Sequence, residues 1–209
     1  MKRYDCLKII VQHLTNDLII ANVGGPRREW RDLTSHPILP IAALGLCSSV
    51  GLGLALALPH RRVLVLDGDG SILLNLSHFA TAGVHPAGNL IHIVFDNGHY
   101  ESSGAYPTNT LSGKVVLAQV ALACGIPRAV QVNTIEDFAS AYEAALGGQG
   151  PVVIVAKVEV NPAFPKGVPD PQPSMDPIEY AIQFARHIEK TEGIRVRKAP
   201  RDVFPQLRW

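Results

Sequence analysis

The sequence predicts an α/β fold in which a doubly wound parallel sheet carries helices on both faces. Short apolar runs rich in valine, isoleucine and leucine alternate with helical patterns along most of the 209 residues. These runs lack the apolar–polar alternation of a half-exposed strand, so both sides of each strand are expected to be buried. A chain of this length can bury a continuous core within one domain of ordinary size.

Each element is predicted from its apolar pattern and from the residues that end it. The most apolar segment, 38–58, contains Pro40 and three glycines, so we interpret it as a loop followed by a buried helix rather than a membrane span. The predicted helices are 5–14, 46–58, 71–83, 115–124, 134–146 and 178–190, with 26–33 as a short polar connection or helix. The predicted strands are 17–23, 63–66, 90–95, 129–132 and 152–158, and a polar loop is predicted from 96 to about 114.

The chain changes character after residue 160. The stretch NPAFPKGVPDPQPSMDP is rich in proline and does not suit the interior of a helix or a strand. Asp176 and Pro177 provide the cap and first position of the following helix. We therefore expect a domain over 1–160, and over 161–209 a proline-rich segment, a helix and a basic tail that pack on that domain or on a partner chain.

Composition narrows the function classes. Charged residues make up 18% of the chain and the net charge is +1, which favours a surface partly covered by a partner and gives no general attraction to nucleic acid or membranes. The three cysteines, Cys6, Cys47 and Cys124, lie far apart, which argues against a disulfide framework, a zinc ribbon or an iron–sulfur cluster. The N-terminal segment is too polar for a signal peptide, and the expected location is the cytoplasm.

Two polar corners follow predicted strands, GDG at 68–70 and DNG at 96–98. Ligands of open parallel sheets bind at the carboxyl ends of strands, and the backbone N–H groups of Gly70 and Ser71 suit a phosphate. Asp69 would repel that phosphate unless a divalent cation such as Mg²⁺ lay between them, and Asn97 offers an amide oxygen to the same cation. Taken singly, each corner is better interpreted as an ordinary turn, because Asp, Asn and Gly are favoured there for backbone reasons alone.

The two corners together resemble a known motif. Between Gly70 and Asp96 lie 25 residues, and the thiamine diphosphate motif is GDG followed by about 25 residues and then NN, in a strand–helix–strand context. The segments NVGGPRREW, AALGLCSSVGLGLALAL and DNGHYESSGAYPT are similar to blocks in the pyrophosphate-binding half of the sulfopyruvate and phosphonopyruvate decarboxylase family. The resemblance covers most of 5–160, and the layout is most similar to the separate β chain of the sulfopyruvate-type enzymes.

The resemblance implies a role for each matching residue. Asp69 and Asn97 would bind Mg²⁺ through side-chain oxygens, and His99 through its backbone carbonyl. Leu44 would wedge under thiamine diphosphate, although plain core packing explains it equally well, and His99 is equally a loop imidazole. The full cofactor-binding set implied in this way is Gly24, Gly25, Ala42, Leu44, Gly68, Asp69, Gly70, Ser71, Asn97, His99 and Tyr100, in which the carbonyl of Ala42 would accept a hydrogen bond from the aminopyrimidine.

Three positions depart from the family pattern. Asp96 replaces the first asparagine of NN, and this position is not an expected metal ligand. The segment AALG replaces GSMG and removes a serine beside the cofactor. The segment PRRE replaces TSRE, which puts Arg27 where a hydroxyl would be; we expect Arg27 to face solvent.

The resemblance also implies a missing half. In this family, the glutamate that activates the cofactor lies on a separate pyrimidine-binding domain, and this chain has room for one domain of the two. We therefore expect the β subunit of a heteromer, α₂β₂ or larger, that is inert alone and decarboxylates a small 2-oxo acid together with an α chain. No catalytic residue is assigned to this chain itself.

Other function classes stay open from the sequence. Within thiamine enzymes, the alternatives are a carboligase or lyase subunit and the β chain of a 2-oxo acid:ferredoxin oxidoreductase, whose clusters would have to lie on another chain. A non-catalytic module that has kept the fold is a further class. The two side-chain metal ligands, Asp69 and Asn97, are both intact, which argues against it. A flavodoxin-like or other nucleotide binder is disfavoured because GLGLA lacks the strand–turn–helix context of a dinucleotide fingerprint.

Overall fold

Strands and helices alternate along the chain. The structure is a computed structural model that describes residues 1–22, 24–160 and 176–197. Its strands are β1 (Leu18–Asn22), β2 (Ile38–Ile41), β3 (Val63–Gly68), β4 (Leu90–Asp96), β5 (His99–Tyr100), β6 (Tyr106–Pro107), β7 (Arg128–Val132) and β8 (Val152–Lys157). Its α-helices are α1 (Arg3–Gln12), α2 (Gly25–Leu33), α3 (Cys47–Ala57), α4 (Asp69–Leu74), α5 (Ser77–Val84), α6 (Leu117–Ala123), α7 (Ile135–Leu146) and α8 (Pro177–Glu192).

Six strands form one parallel sheet in the order β2-β1-β3-β4-β8-β7. Alternate residues of its strands enter two separate apolar clusters. One cluster joins the sheet to α3, α5, α6 and α8, and the other joins it to α1, α2 and α7. Residues on both sides of the central strands are therefore buried, which confirms the predicted doubly wound sheet.

The sequence prediction missed strand β2, which we expected to be loop. This strand forms an outer edge of the sheet and pairs with β1 alone, with Pro40 opposite Ala21. Proline lacks the N–H that a central strand must donate, but an edge strand has one side without a partner strand. The proline that argued against a strand is therefore compatible with this position.

The predicted helix 71–83 is two helices. Helix α4 begins two residues earlier, at Asp69, and ends at Leu74, and α5 begins at Ser77. At the break, the Asn75 amide donates to the Gly45 carbonyl (2.8 Å) and its carbonyl oxygen accepts from the Ser77 hydroxyl (2.7 Å). An asparagine that bonds to neighbouring groups in this way competes with the helical backbone bonds, which ends α4.

The polar loop predicted from residue 96 has structure of its own. The short strands β5 and β6 form an antiparallel pair, with His99 opposite Pro107, and 3₁₀ turns occupy 101–103 and 109–112. The segment thereby folds back over the end of the sheet, which brings distant residues to the carboxyl ends of the strands.

Two helices begin with a side-chain cap, and the cap at Asp176 confirms the prediction. The Thr134 hydroxyl accepts from the backbone N–H of Asp137 (3.1 Å), and the Asp176 carboxylate accepts from that of Ile178 (2.7 Å). Helix α8 contributes Phe184 and Ile188 to the apolar cluster that contains α3. The proline-rich stretch 161–175, the tail from 198 onward and the end of the predicted strand at residue 23 lie outside the described residues. In the described ranges, no helix combines the length and apolar character that crossing a bilayer would need.

A buried polar cluster lies beneath the sheet end. The ring centroids of His78 and His92 are 5.5 Å apart, and Nε2 of His92 is 3.3 Å from a carboxylate oxygen of Asp67. All three side chains are at most 3% exposed. The pKa of His78 is lowered to about 3, and burial is the largest cause. The neighbouring His92 also lowers this pKa, by more than the charge of Asp67 raises it.

The depressed pKa of His78 predicts a stability loss in acid. The unfolded chain takes up this proton near pH 6.5 and the folded chain only near pH 3, so the stability is complete above pH 6.5 and falls as the pH decreases. We expect this residue to contribute a slope of about 1.4 kcal/mol per pH unit between those values. Urea unfolding at several pH values should show a smaller slope for His78→Gln. An equal slope in the wild type and the variant would contradict the assignment.

Candidate functional site

A cleft opens at the carboxyl ends of β1, β3 and β4. Strands β1 and β3 are neighbours in the sheet, but the chain between them first leaves to β2 at the edge and then returns. The segments that leave β1 and β3 therefore part in opposite directions and leave a crevice. Ligands of open α/β sheets bind at such points.

The cleft collects nearly all of the predicted site residues. Its lining is Arg3, Asn22, Gly24, Gly25, Pro26, Leu44, Asp67, Gly68, Asp69, Gly70, Ser71, Phe95, Asn97, His99, Tyr100 and Glu101. Of the predicted set, Ala42 alone is not among these residues, and it is exposed. Arg27 also lies outside the lining, and it is half-buried rather than facing solvent as expected.

Asp69 is a buried carboxylate whose neighbours are hydroxyls. Its side-chain Oδ2 accepts from the Thr108 hydroxyl at 2.5 Å and from the Thr110 hydroxyl at 3.1 Å, and the residue is 2% exposed. Burial raises the pKa of this carboxyl, the charge of Asp96 raises it further, and the bonds from the two threonines oppose the rise. Within the described residues, no basic side chain is among the groups that shift this pKa.

Asp96 is the matching acid at the end of β4, and its charge is neutralised. Its Oδ2 accepts from Nζ of Lys157 (2.9 Å), at the end of the neighbouring β8. Its Oδ1 accepts from the Gly98 N–H (3.1 Å) and lies 2.8 Å from the Thr110 hydroxyl, whose single hydrogen goes to one of the two acids at a time. Asp96 therefore forms a buried ion pair with Lys157 at the carboxyl ends of β4 and β8.

Asn97 is held in a tight turn. Its side-chain oxygen accepts from the backbone N–H of His99 (2.8 Å), and Nδ1 of His99 lies 2.9 Å from the Asn97 carbonyl. Gly98, between them, has φ of +71°, in the left-handed region that favours glycine. These bonds fix the direction of the amide at the cleft wall.

The start of α4 forms the floor of the cleft. The Ser71 hydroxyl accepts from the Gly45 N–H (3.0 Å), which joins α4 to the segment after β2. A Cβ built on Gly70 would lie 2.4 Å from a ring carbon of Tyr100, so the Tyr100 ring rests directly on this glycine. Helix α4 has six residues, and any contribution to anion binding comes mainly from individual N–H groups rather than from a long helix dipole.

An ion-pair cluster that the sequence did not indicate forms another wall. Arg3 donates from Nε to Glu29 (2.8 Å), from Nη2 to the other oxygen of Glu29 (3.2 Å), and from Nη1 to Glu101 (3.3 Å). A Cβ on Gly25 would lie 2.0 Å from Nη2 of Arg3. Burial raises the pKa of Glu29, and its bonds to Arg3 oppose the rise. Glu29 belongs to the PRRE segment, which is similar to a block of the family, but nothing in the sequence indicates that it pairs with Arg3.

The donor set fits a hard cation that shares its shell with a phosphate. The cleft offers a carboxylate at Asp69, an amide oxygen at Asn97 and backbone carbonyls, which are the oxygens that Mg²⁺ takes. Among the residues described, no cluster of three or more His, Cys, Asp or Glu could hold a metal alone. The open backbone at Gly24, with no atom within 4 Å of a built Cβ, leaves space for a ligand in the cleft.

Comparison with known proteins gives one consistent family. The family description "Thiamine pyrophosphate enzyme, C-terminal TPP binding domain" matches residues 31–156. The chain is 35% identical over 185 residues to phosphonopyruvate decarboxylase of Streptomyces viridochromogenes, covering 87% of this chain and 45% of that protein. It is 32% identical over 192 residues to sulfopyruvate decarboxylase subunit beta of Methanococcus maripaludis, covering 91% of this chain and 99% of that subunit. The chain thus spans less than half of the first relative and nearly all of the second.

Solved structures agree on the fold. A thiamine diphosphate-dependent 4-hydroxybenzoylformate decarboxylase from Rhodococcus jostii RHA1 superposes with a TM-score of 0.66 at 19% identity, covering 77% of this chain and 33% of that one. Benzoylformate decarboxylase from Polynucleobacter necessarius gives 0.65 at 21% identity, covering 80% and 34%. These identities establish a shared α/β fold and nothing further.

Contact between Tyr100 and Gly70 predicts that the floor of the cleft does not tolerate a side chain. Replacing an exposed helical glycine by alanine normally stabilises a protein by about 0.4–1 kcal/mol. We expect that gain for Gly53→Ala, where a Cβ meets nothing within 4 Å, and a loss of about 1–3 kcal/mol for Gly70→Ala, where the Tyr100 ring must move. Urea unfolding of both variants measures the difference. A Gly70→Ala chain as stable as Gly53→Ala would show that the ring does not rest there.

Proposed function

This chain belongs to the thiamine pyrophosphate enzymes, and on that premise we propose that it is the β subunit of a heteromeric, Mg²⁺-dependent decarboxylase of a small 2-oxo acid. The observation that carries the proposal is the cleft at the carboxyl ends of β1, β3 and β4. It brings Asp69, which no cation neutralises in the described residues, next to Asn97 and to the backbone of 24–25 and 68–71.

The proposed cofactor is thiamine diphosphate with Mg²⁺. Asp69 and Asn97 would hold the metal by side-chain oxygens, and His99 would hold it by its backbone carbonyl. The backbone of 24–25, Gly68, Gly70 and Ser71 would hold the diphosphate, and Leu44 and Tyr100 also line the cleft. When bound, the cofactor supplies the electron sink that allows CO₂ to leave a 2-oxo acid. This chain's own residues bind and orient it, and the Asp69 charge balances the metal.

The proposed partner is a pyrimidine-binding α chain that supplies the activating glutamate, in an α₂β₂ or larger assembly. The sulfopyruvate decarboxylase relative is named as a beta subunit, and the chain covers 99% of it. Large apolar side chains of segments next to the cleft are also exposed to solvent, which is typical of a surface that another protein covers. They are Leu44, Leu46, Leu74, Tyr106 and Leu111, each at least 36% exposed. Leu74 lies beside Gly45, and Leu111 beside Gly98.

The metal assignment predicts a loss of binding when the Asp69 charge is removed. Asp69→Asn keeps the shape and an acceptor for the threonines but removes the anion that a divalent cation needs. We expect at least a tenfold weaker affinity for Mg²⁺ and thiamine diphosphate, measured by calorimetry on the co-purified complex. Asp137→Asn, at an exposed position in the first turn of α7, is the matched control and should bind as the wild type does. Unchanged binding by Asp69→Asn would exclude the site.

The reaction class is tested with the same complex. A panel of small 2-oxo acids, including sulfopyruvate and phosphonopyruvate, should release CO₂ without an electron acceptor and only when both chains are present. Release that requires an acceptor would instead indicate an oxidoreductase. Full activity of this chain alone would contradict the subunit assignment.

The apolar rim predicts where the partner binds. Leu74→Ser should weaken complex formation, because Leu74 is 61% exposed near the carboxyl end of the sheet. Leu56→Ser is the matched control. Leu56 is 50% exposed near the C-terminal end of α3, which leads back to the amino-terminal end of β3. Size-exclusion chromatography of co-expressed chains compares the two. Equal weakening, or none from Leu74→Ser, would place the interface elsewhere.

A further inference from the structure

The segment between β4 and α6 returns two threonines to the base of the cleft. Thr108 and Thr110 are 4% and 2% exposed, so their hydroxyls are inside the protein and not in the cleft opening. Both are within hydrogen-bond distance of the same oxygen of Asp69, from which they are separated by 39 and 41 residues in sequence. The Thr108 N–H also donates to the Gly98 carbonyl (2.8 Å), which fixes the segment to the DNG turn.

Thr110 stands between two acidic side chains. Its Oγ1 is 3.1 Å from Oδ2 of Asp69, 2.8 Å from Oδ1 of Asp96 and 2.9 Å from the Thr108 hydroxyl. A hydroxyl carries one hydrogen, so Thr110 donates to one of the two carboxylates at a time. Donation to Asp96 leaves Thr108 as the hydroxyl donor to Asp69, and donation to Asp69 gives that carboxylate both hydroxyls. Thr108 supplies the shorter bond to Asp69, at 2.5 Å.

Lys157 makes the two acids unequal. Asp96 has a cation at 2.9 Å and a backbone N–H at 3.1 Å, so it remains satisfied whether or not Thr110 donates to it. Asp69 has only hydroxyl and backbone donors in the described residues, and its charge is not neutralised. Buried carboxylates without a cation depend strongly on each donor that reaches them.

We propose that Thr108 and Thr110 are positioning residues for Asp69, and that Asp96, which is already paired with Lys157, shares the single Thr110 hydrogen with Asp69. The hydroxyls hold Oδ2 and so aim the carboxylate at the cleft before any ligand arrives. This inference rests on the proposed metal site and extends it from the ligand to the residues behind it. Outer-shell groups of this kind commonly change metal affinity by about 10–100-fold when they are removed.

The test removes one hydroxyl without changing the shape of the side chain. Thr110→Val in the co-purified complex should bind Mg²⁺ and thiamine diphosphate at least tenfold more weakly by calorimetry. Thr110→Ser, which restores the hydroxyl, should return the affinity to within about threefold of the wild type, on the same scale of outer-shell effects. Thr81→Val is the matched control, because the Thr81 hydroxyl is exposed on α5 and bonds only its own helix at 3.2 Å. Should Thr110→Val fail to assemble, Thr108→Val replaces it, with the same expected loss.

The role of Asp96 is tested by coupling. If Asp96 acts through Thr110, the double variant Asp96→Ala with Thr110→Val should bind no more weakly than the weaker single variant. Losses that multiply would show that Asp96 acts independently.

The outcomes separate this inference from the function on which it rests. A wild-type complex that binds neither metal nor cofactor overturns both. Wild-type binding with equal affinity in Thr110→Val overturns the positioning role alone. A Thr110→Val complex that is less stable to urea but binds normally shows a purely structural network, and it also overturns the positioning role.

Discussion

The buried charge of Asp69 is the constraint on which the rest of the site depends. An ionised carboxylate removed from water is costly unless hydrogen bonds and a counter-charge compensate for it. The described part of the chain gives Asp69 hydroxyl and backbone donors but no cation. The neighbouring Asp96, equally buried, has Lys157. A divalent cation is the compensation that we propose for Asp69, and it would enter through the cleft in front of this residue.

The fold makes this arrangement possible because the carboxyl ends of parallel strands lie on the same side of the sheet. Asp96 and Lys157 end adjacent strands in register, and Asp69 follows the strand on the other side of Asp96. The crossover from β1 to β2 then opens the crevice beside Asp69. The Arg3–Glu29–Glu101 cluster ties the first helix, the second helix and the loop after β4 into one wall. Charge, crevice and wall therefore follow from the same sheet order.

Local patterns predicted most of the fold, and they failed where the tertiary structure overrides them. The apolar runs of β3, β4 and β8 were readable because both faces of these strands are buried. Strand β2 was hidden by Pro40, which is tolerated only because the strand lies at an edge. The break at Asn75 depends on the Gly45 carbonyl, which lies 30 residues away. The site motif could be recognised in the sequence because its residues directly follow predicted strands. Thr108, Thr110 and Lys157 contact Asp69 or Asp96 only in the folded chain, so the sequence did not indicate them.

The most direct test of the account is a crystal structure of the assembled complex with Mn²⁺ in place of Mg²⁺ and with thiamine diphosphate, in which anomalous scattering locates the metal. The account predicts one metal peak within bonding distance of the side-chain oxygens of Asp69 and Asn97, with the diphosphate against the backbone of Gly70 and Ser71. A metal bound elsewhere, or a cofactor in the cleft with Asp69 still bonded only to its threonines, would contradict it.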